Sequence, residues 1–250
     1  MIDGMISMHI KNERRWSMST RQEAVLIRKK ILSVCVRLFL EQGYKQTSIS
    51  QIVEETGVAR GSFQNFFHTK DVILLELVKT MFGGQFKMAR SIAETIPSPV
   101  YAYAVETSIQ LAITELNENL REIYLEAYTL PSITEYIYLN TTAELMLIFG
   151  SNFPDQTEND FYEMEIGSAG LMRGYMAKKC DIHFPLERKL ERFLTASLRI
   201  YKIPEDEQRR IISYVKQLDI KAIATEVMQR LLQMFEMKFD LTLTKPEETT

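Results

Sequence analysis

Two cysteines, three histidines and one tryptophan among 250 residues leave little material for metal or thiol chemistry. Cys35 and Cys180 cannot build a disulfide framework, and such sparse usage suits a reducing compartment. Cys180 and His183 supply two possible metal ligands where a site needs three or four. No glycine-rich phosphate loop and no serine elbow is present. We therefore expect no catalytic residues, no metal site and no cofactor. No stretch approaches the ~18 uninterrupted apolar residues of a membrane helix. The opening residues MIDGMISMHIKNERRW lack the apolar run of a secretion signal. A cytoplasmic location without a membrane partner is expected. Glycine and proline are also few, ten and seven, so long stretches run without a helix breaker.

What remains is ordinary globular material: 46% apolar and 25% charged residues. It is rich in Met, Leu, Glu, Lys, Gln and Arg, all good helix formers. The length allows a real core in one large or two small domains. Net charge is only −3, yet residues 1–70 hold eleven Lys/Arg against six Asp/Glu, and the rest nineteen against twenty-seven. A basic N-terminal part on an acidic body points to a local contact with a polyanion.

Periodicity organises the chain. Residues 1–20 show no apolar period and read as a flexible arm; they hold Met1, Met5, Met8 and Met18, so translation could begin at Met1 or at Met18. From about Arg21 to Gln42, Ile27, Ile31, Cys35, Leu38 and Phe39 form one helical stripe, closed by Gly43. Ser48 and Gln51 have capping-box spacing for a short helix ending at Thr56-Gly57. Another short helix follows from about Arg60 to Phe67, with Phe63, Phe66 and Phe67 on its inner side. Thr69 can cap the next helix, with Asp71 in its first turn. Beyond Val72 helices are expected over 70–95, 99–118, 120–129, 132–150, 157–179, 185–201 and 205–238, separated chiefly at prolines and glycines.

Two short helices joined by a glycine turn, the second apolar on one side only, make a helix-turn-helix. Its outward residues are Arg60, Gly61, Ser62, Gln64 and Asn65. Arginine can pair with guanine O6 and N7, and Gln or Asn with adenine. Gly61 would admit a close backbone approach, and the helix start offers N–H groups to phosphate oxygens. An ordinary polar surface face is the alternative.

The run ILSVCVRLFLEQGYKQTSISQIVEETGVARGSFQNFFHTKDVILLELV resembles the DNA-binding domain of tetracycline-repressor-type (TetR/AcrR) regulators. Phe39, Gly43, Tyr44, Thr47, Ser48, Ile52, Gly57, Val58, Gly61, Phe63, Phe67, Lys70 and Asp71 carry the likeness. The resemblance implies an all-α protein: a three-helix helix-turn-helix domain over 21–69, after the arm at 1–20, and a helical effector-binding and dimerisation domain over 70–250. It implies a homodimer on a double-stranded DNA operator, repressing until a small-molecule effector binds. Lys70 matches a phosphate-contacting lysine, and Thr47 and Ser48 match hydroxyls that bond the DNA backbone. Gln64 and Phe66 depart from the family's aromatic residues, and Gln64 replaces a phosphate-gripping tyrosine. A helical protein-binding adaptor that has lost DNA binding is therefore the alternative function.

Eight of the eleven tyrosines lie between Tyr101 and Tyr175, where an effector pocket would form. Tyr101, Tyr124, Tyr128, Met146, Tyr162 and Tyr175 are candidate lining residues or plain aromatics and core. Arg173, a charge within GLMRGYM, could hold an anionic effector or an internal ion pair. Gly167, Gly170 and Gly174 share one helical strip, which serves either the dimer interface or packing inside one subunit. The apolar face of the 205–238 helix could complete a four-helix interface.

Overall fold

A computed structural model describes the backbone of residues 2–93 and 98–234 and the side chains of 22–81 and 98–233. Among the described residues the regular structure is entirely helical. Helix α1 is Ile2–Gln42, α2 Ile49–Thr56, α3 Arg60–Phe66 and α4 Lys70–Ala93. The body continues with α5 Pro99–Leu116, α6 Glu118–Ala127, α7 Pro131–Phe149 and α8 Glu158–Ala177. It closes with α9 Leu186–Ile200, α10 Glu205–Lys216 and α11 Ile220–Met234.

The stripe on α1 packs as its spacing dictates: Ile31, Cys35, Leu38 and Phe39 are buried. They meet Ile52 of α2, Phe63 and Phe67 around α3, and Ile73 and Leu74 of α4 in the shared core. Phe66 is only half-buried, so two phenylalanines rather than three anchor α3. Burial pushes the Cys35 thiol up to about 12, which makes it an inert core group. Gly57 turns the chain from α2 to α3 with φ +61°, a conformation glycine adopts without a steric cost. The capping box at α2 is half made. Ser48 Oγ accepts from the Gln51 N–H at 3.1 Å, but the Gln51 side chain bonds Gln42 across to α1 instead.

Two boundaries differ from expectation. The α1 backbone begins at Ile2, not near Arg21, so the segment read as an arm is helical; from Ile2 to Gln42 it has no proline and only Gly4 as a weak breaker. The side chains of that segment lie outside the described residues. The expected 205–238 helix is two helices. The break at Gln217–Asp219 contains no proline or glycine, and Asp219 Oδ1 restarts the chain by accepting the Ala222 N–H at 3.0 Å. Phe235 lies outside the described residues.

In the body, α5 is buried on nearly every face from Tyr103 to Leu116. A helix without a solvent face must be enclosed. The other helices supply the enclosure: α4, α6, α7, α8, α9, α10 and α11 all pack on it. At its end, Glu115 gathers a buried ion network. The fully buried Lys189 of α9 reaches it at 2.5 Å and Arg121 of α6 at 3.0 Å, while Lys189 also donates to the Lys178 carbonyl.

The two parts meet at the turn after α1. Asn119 of α6 donates to the Leu40 carbonyl at 2.8 Å, and Glu122 accepts the Lys45 N–H at 3.2 Å. Gly43 makes this approach possible: its φ is +92°, and a Cβ there would lie 2.4 Å from Glu122 Oε2. Gly43→Ala is therefore expected to destabilise the protein by about 1–2 kcal/mol through its left-handed backbone alone, plus the cost of displacing Glu122. Urea unfolding measures the total, and adding Glu122→Ala should recover only the second part. A Gly43→Ala protein as stable as wild type would refute the account.

Candidate nucleic-acid interface

The turn and both short helices form one hydrogen-bonded frame. Gln42 Nε2 donates to Thr47 Oγ1 at 3.1 Å and to Gln51 Oε1 at 2.8 Å, tying α1 to α2. Thr47 Oγ1 donates onward to the Gly43 carbonyl at 2.8 Å. Tyr44 Oη donates to Asp71 at 2.6 Å, joining the turn to α4. Burial and that carboxylate hold the Tyr44 phenol well above its usual range, so it stays a donor.

Two residues expected to contact DNA also serve this frame. Thr47 is 1% exposed and its hydroxyl is fully engaged, so its side chain is structural. Lys70 Nζ donates to the Tyr44 carbonyl at 2.8 Å and lies 4.6 Å from the Tyr44 ring centroid. Desolvation lowers its pKa despite the nearby Asp71 and Glu122. Its charge is directed first at the chain end of α1 rather than outward. Ser48 stays exposed beside the start of α2, with its oxygen capping that helix.

The other expected residues present one surface. Phe63 and Phe67 fix α3 from within, leaving Arg60, Gly61, Gln64 and Asn65 exposed and Ser62 partly so. Among the described residues, Arg60, Ser62, Gln64 and Asn65 have no side-chain hydrogen bond or ion pair within the chain. The contrast with Gln42, Thr47 and Gln51 is chemical: similar polar groups are closed into a network on α2 and left unsatisfied on α3. Gly61 is exposed with nothing within 4 Å of a built Cβ. The fold itself therefore does not require glycine there. Phe66 departs from the expected aromatic pattern on the inner side of α3, so only Gln64 alters the presented face.

The body redistributes the remaining candidates. Tyr124 is buried and Tyr128 half-buried at the centre, where Tyr128 Oη donates to Gln110 at 3.3 Å. Tyr101 stands apart, edge-on to Tyr214 of α10. Tyr175 packs its ring against Phe193 and Phe184. Met146 is 41% exposed on the outside of α7, and Tyr162 bonds Glu135 near the surface at 2.9 Å. Arg173 is exposed and donates to Thr129 at 3.0 Å, so it needs neither an effector nor a buried ion pair. Tyr124 and Tyr128 thus lie inward, while Met146 and Arg173 lie at the surface.

Spacing analysis missed the polar centre of the body: Tyr103, Glu106 and Gln110 of α5, Glu165 and Ser168 of α8, and Tyr201 after α9. Its signal was present as a lone acid inside the apolar run YAVETSIQLAI. Gly167, Gly170 and Gly174 are all exposed on α8, with open space at each. Among the described residues, nothing in the same subunit packs against them. The α10–α11 apolar residues Ile211, Val215, Val227 and Leu232 are buried inside the chain, which removes them as an interface.

The arrangement defines an all-helical protein with an N-terminal helix-turn-helix. Residues 31–77 match the family model for bacterial regulatory proteins of the tetR family. Among named relatives, HTH-type transcriptional regulator LmrA of Bacillus subtilis is 34% identical over 106 residues, 41% of this chain and 56% of that protein. HTH-type transcriptional regulator AcrR of Shigella flexneri is 27% identical over 107 residues, 43% and 50% respectively. HTH-type transcriptional regulator YuxN of B. subtilis is 29% identical over 94 residues, covering 38% and 30%. The matches thus span about a third to just over half of these relatives. The crystal structure of a gamma-butyrolactone receptor (ArpA-like protein) aligns over 85% of this chain and 99% of its own, at 19% identity and a TM-score of 0.41. Among the described residues no helix is long and apolar enough to cross a membrane.

The open space at Gly61 makes a prediction that separates stability from binding. Gly61→Ala is expected to keep or raise the melting temperature, since alanine favours a helix by up to about 1 kcal/mol. It should weaken DNA binding in a gel shift by standing between α3 and the duplex. Unaltered binding would show that no close approach occurs at residue 61.

Proposed function

We propose that this protein is a homodimeric transcription regulator that represses from a palindromic DNA operator and is released by a small-molecule effector. One observation carries the reading: the base-reading side chains Arg60, Gln64 and Asn65 stand unsatisfied on a helix whose other side is locked by Phe63 and Phe67. Such groups are free to exchange water for base edges in a major groove. Placement of the tetR-family domain at residues 31–77 supports the same reading.

Gel shifts on the DNA upstream of the gene test it. Arg60→Ala is expected to cost about 1–3 kcal/mol on the operator and to relax preference at one base pair. Equal weakening on every sequence would reduce Arg60 to a phosphate contact, and absence of any shift with wild-type protein would favour the adaptor alternative.

Dimerisation is supported by the outer faces of α7 and α8. Leu139 and Leu147 are exposed at 57% and 79%, with Ile166 beside the open glycine strip. Small residues there let a helix of a second copy approach closely, and two copies would present two α3 helices to successive half-sites. An effector favouring another spacing of those helices would release the operator. Gly170→Leu is expected to give a folded monomer by light scattering and to lower operator affinity by ~10²–10⁴ through loss of the linked second contact. A variant that stays dimeric with normal binding would move the interface elsewhere.

A further inference from the structure

Two carboxylic acids from different helices share the interior of the body. Glu106 of α5 is 8% exposed and Glu165 of α8 is 4% exposed. Glu106 accepts from Gln110 Nε2; Glu165 accepts from the Ser168 hydroxyl, which in turn accepts from Tyr201 Oη at 2.9 Å. Among the described residues, the titratable and polar groups that act on them or bond to them come from α5 to α9: Tyr103 and Gln110 on α5, Tyr124 and Tyr128 at α6, Tyr138 and Glu144 on α7, Ser168 on α8, and Ser197 and Tyr201 at α9. None of these is a lysine, arginine or histidine. The nearby charges that act on the pair are themselves acidic: Glu144 on Glu106, and Glu106 on Glu165.

A carboxylate held in such surroundings loses its hydration without gaining a cation, so the neutral acid is favoured. Burial, with these acidic neighbours, pushes Glu106 up to about 7 and Glu165 up to about 8. Ionising both places like charges between two packed helices, and admitting water between those helices relieves the repulsion.

We propose that Glu106 and Glu165 form a proton-operated switch: the packing described here belongs to the protonated pair, and loss of the protons drives α5 and α8 apart and loosens the hold of α6 on the turn at Gly43. The last step follows the chain. From Glu106, α5 runs to Leu116 and passes through Asn117 into α6, whose Asn119 and Glu122 grip that turn. Control of DNA binding by this route rests on the regulator function proposed above; the opening of α5 from α8 does not.

Both groups bind protons more tightly in the folded protein than in the unfolded one. Their stabilisation is complete below the ordinary carboxyl range and disappears as pH rises through about 7 and about 8. Melting of the full chain between pH 5.5 and 9 should therefore show the wild type losing stability. Each group would raise the unfolding constant by up to about tenfold per pH unit between its unfolded and folded titrations. The Glu106→Gln, Glu165→Gln double variant, which keeps the neutral shape, should lose that slope. Hydrogen exchange of α5 and α8 amides, compared between the two proteins at equal pH, should be faster in the wild type only above about pH 8, past the folded titrations. Should the variant fail to fold, carbon-13 NMR of glutamate side chains in the wild type decides: two must titrate well above the others.

Parallel melting slopes, or no late-titrating glutamate, would overturn the proposal. So would wild-type operator affinity that stays level from pH 6 to 9 while the melting slopes differ, because the pair would then titrate without controlling DNA. The expected result is operator binding that weakens over this range in the wild type and stays level in the double variant. Wild-type protein that binds no DNA at any pH would instead refute the regulator function, and exchange in α5 and α8 alone would judge the opening.

Discussion

Three backbone groups at one place, the end of α1 and the turn that follows it to Lys45, need partners from other helices. A helix end carries carbonyls with no partner inside the helix, and burying them unpaired is costly. Here Asn119 takes the Leu40 carbonyl, Lys70 the Tyr44 carbonyl and Glu122 the Lys45 N–H. Because these partners come from α4 and α6, satisfying the end of α1 also orients the small domain on the body. The missing Cβ of Gly43 is what lets Glu122 come close enough. A contact that could have been a simple helix cap is thus the joint between two functions.

The same logic runs in the body with opposite consequences. Around Glu115 the acids have cationic partners: Lys189 and Arg121 converge on one carboxylate, fixing the junction of α5, α6 and α9. Nearer the start of α5, around Glu106 and Glu165, tyrosines, Gln110 and serines supply hydrogen bonds and, among the described residues, no positive charge acts on the pair. One helix therefore carries a compensated acid at its end and an uncompensated one within its span. The first ties helices together through its cations; in our proposal the second holds them only while it keeps its proton.

Helix-forming composition and apolar spacing made most of the fold legible. The stripe at Ile31, Cys35 and Phe39, the glycine stops and the prolines locate the end of α1 and α2 to α9 closely. Where punctuation was missing, reading failed: Gln217–Asp219 breaks a helix with no proline or glycine, through a local Asp219 cap. On α3, exposure followed directly from the phenylalanine spacing. The internal bonds of Thr47 and Lys70 were not legible, because a hydroxyl or ammonium has the same formula whether it faces solvent or closes a turn; their partners Gly43 and Tyr44 are set by three-dimensional folding. The tyrosine-rich segment marked the right region for a polar interior, but i+3 and i+4 spacing could not tell the inward Tyr124 from Tyr162 near the surface. Glu106 and Glu165, sixty residues apart, become neighbours only when α8 lies against α5.

The unsatisfied face of α3 bears on how such a protein can change over time. Among the described residues, Arg60, Ser62, Gln64 and Asn65 make no side-chain bond to their own fold, while the buried Phe63 and Phe67 hold the helix in place. Substitutions at those four positions are therefore close to neutral for stability, and surface changes of this kind usually stay within about 0.5 kcal/mol. After gene duplication, a copy could drift through many recognition surfaces without passing through an unfolded intermediate. The barrier to acquiring a new target would then lie in the DNA that must change with it, and hardly at all in the protein.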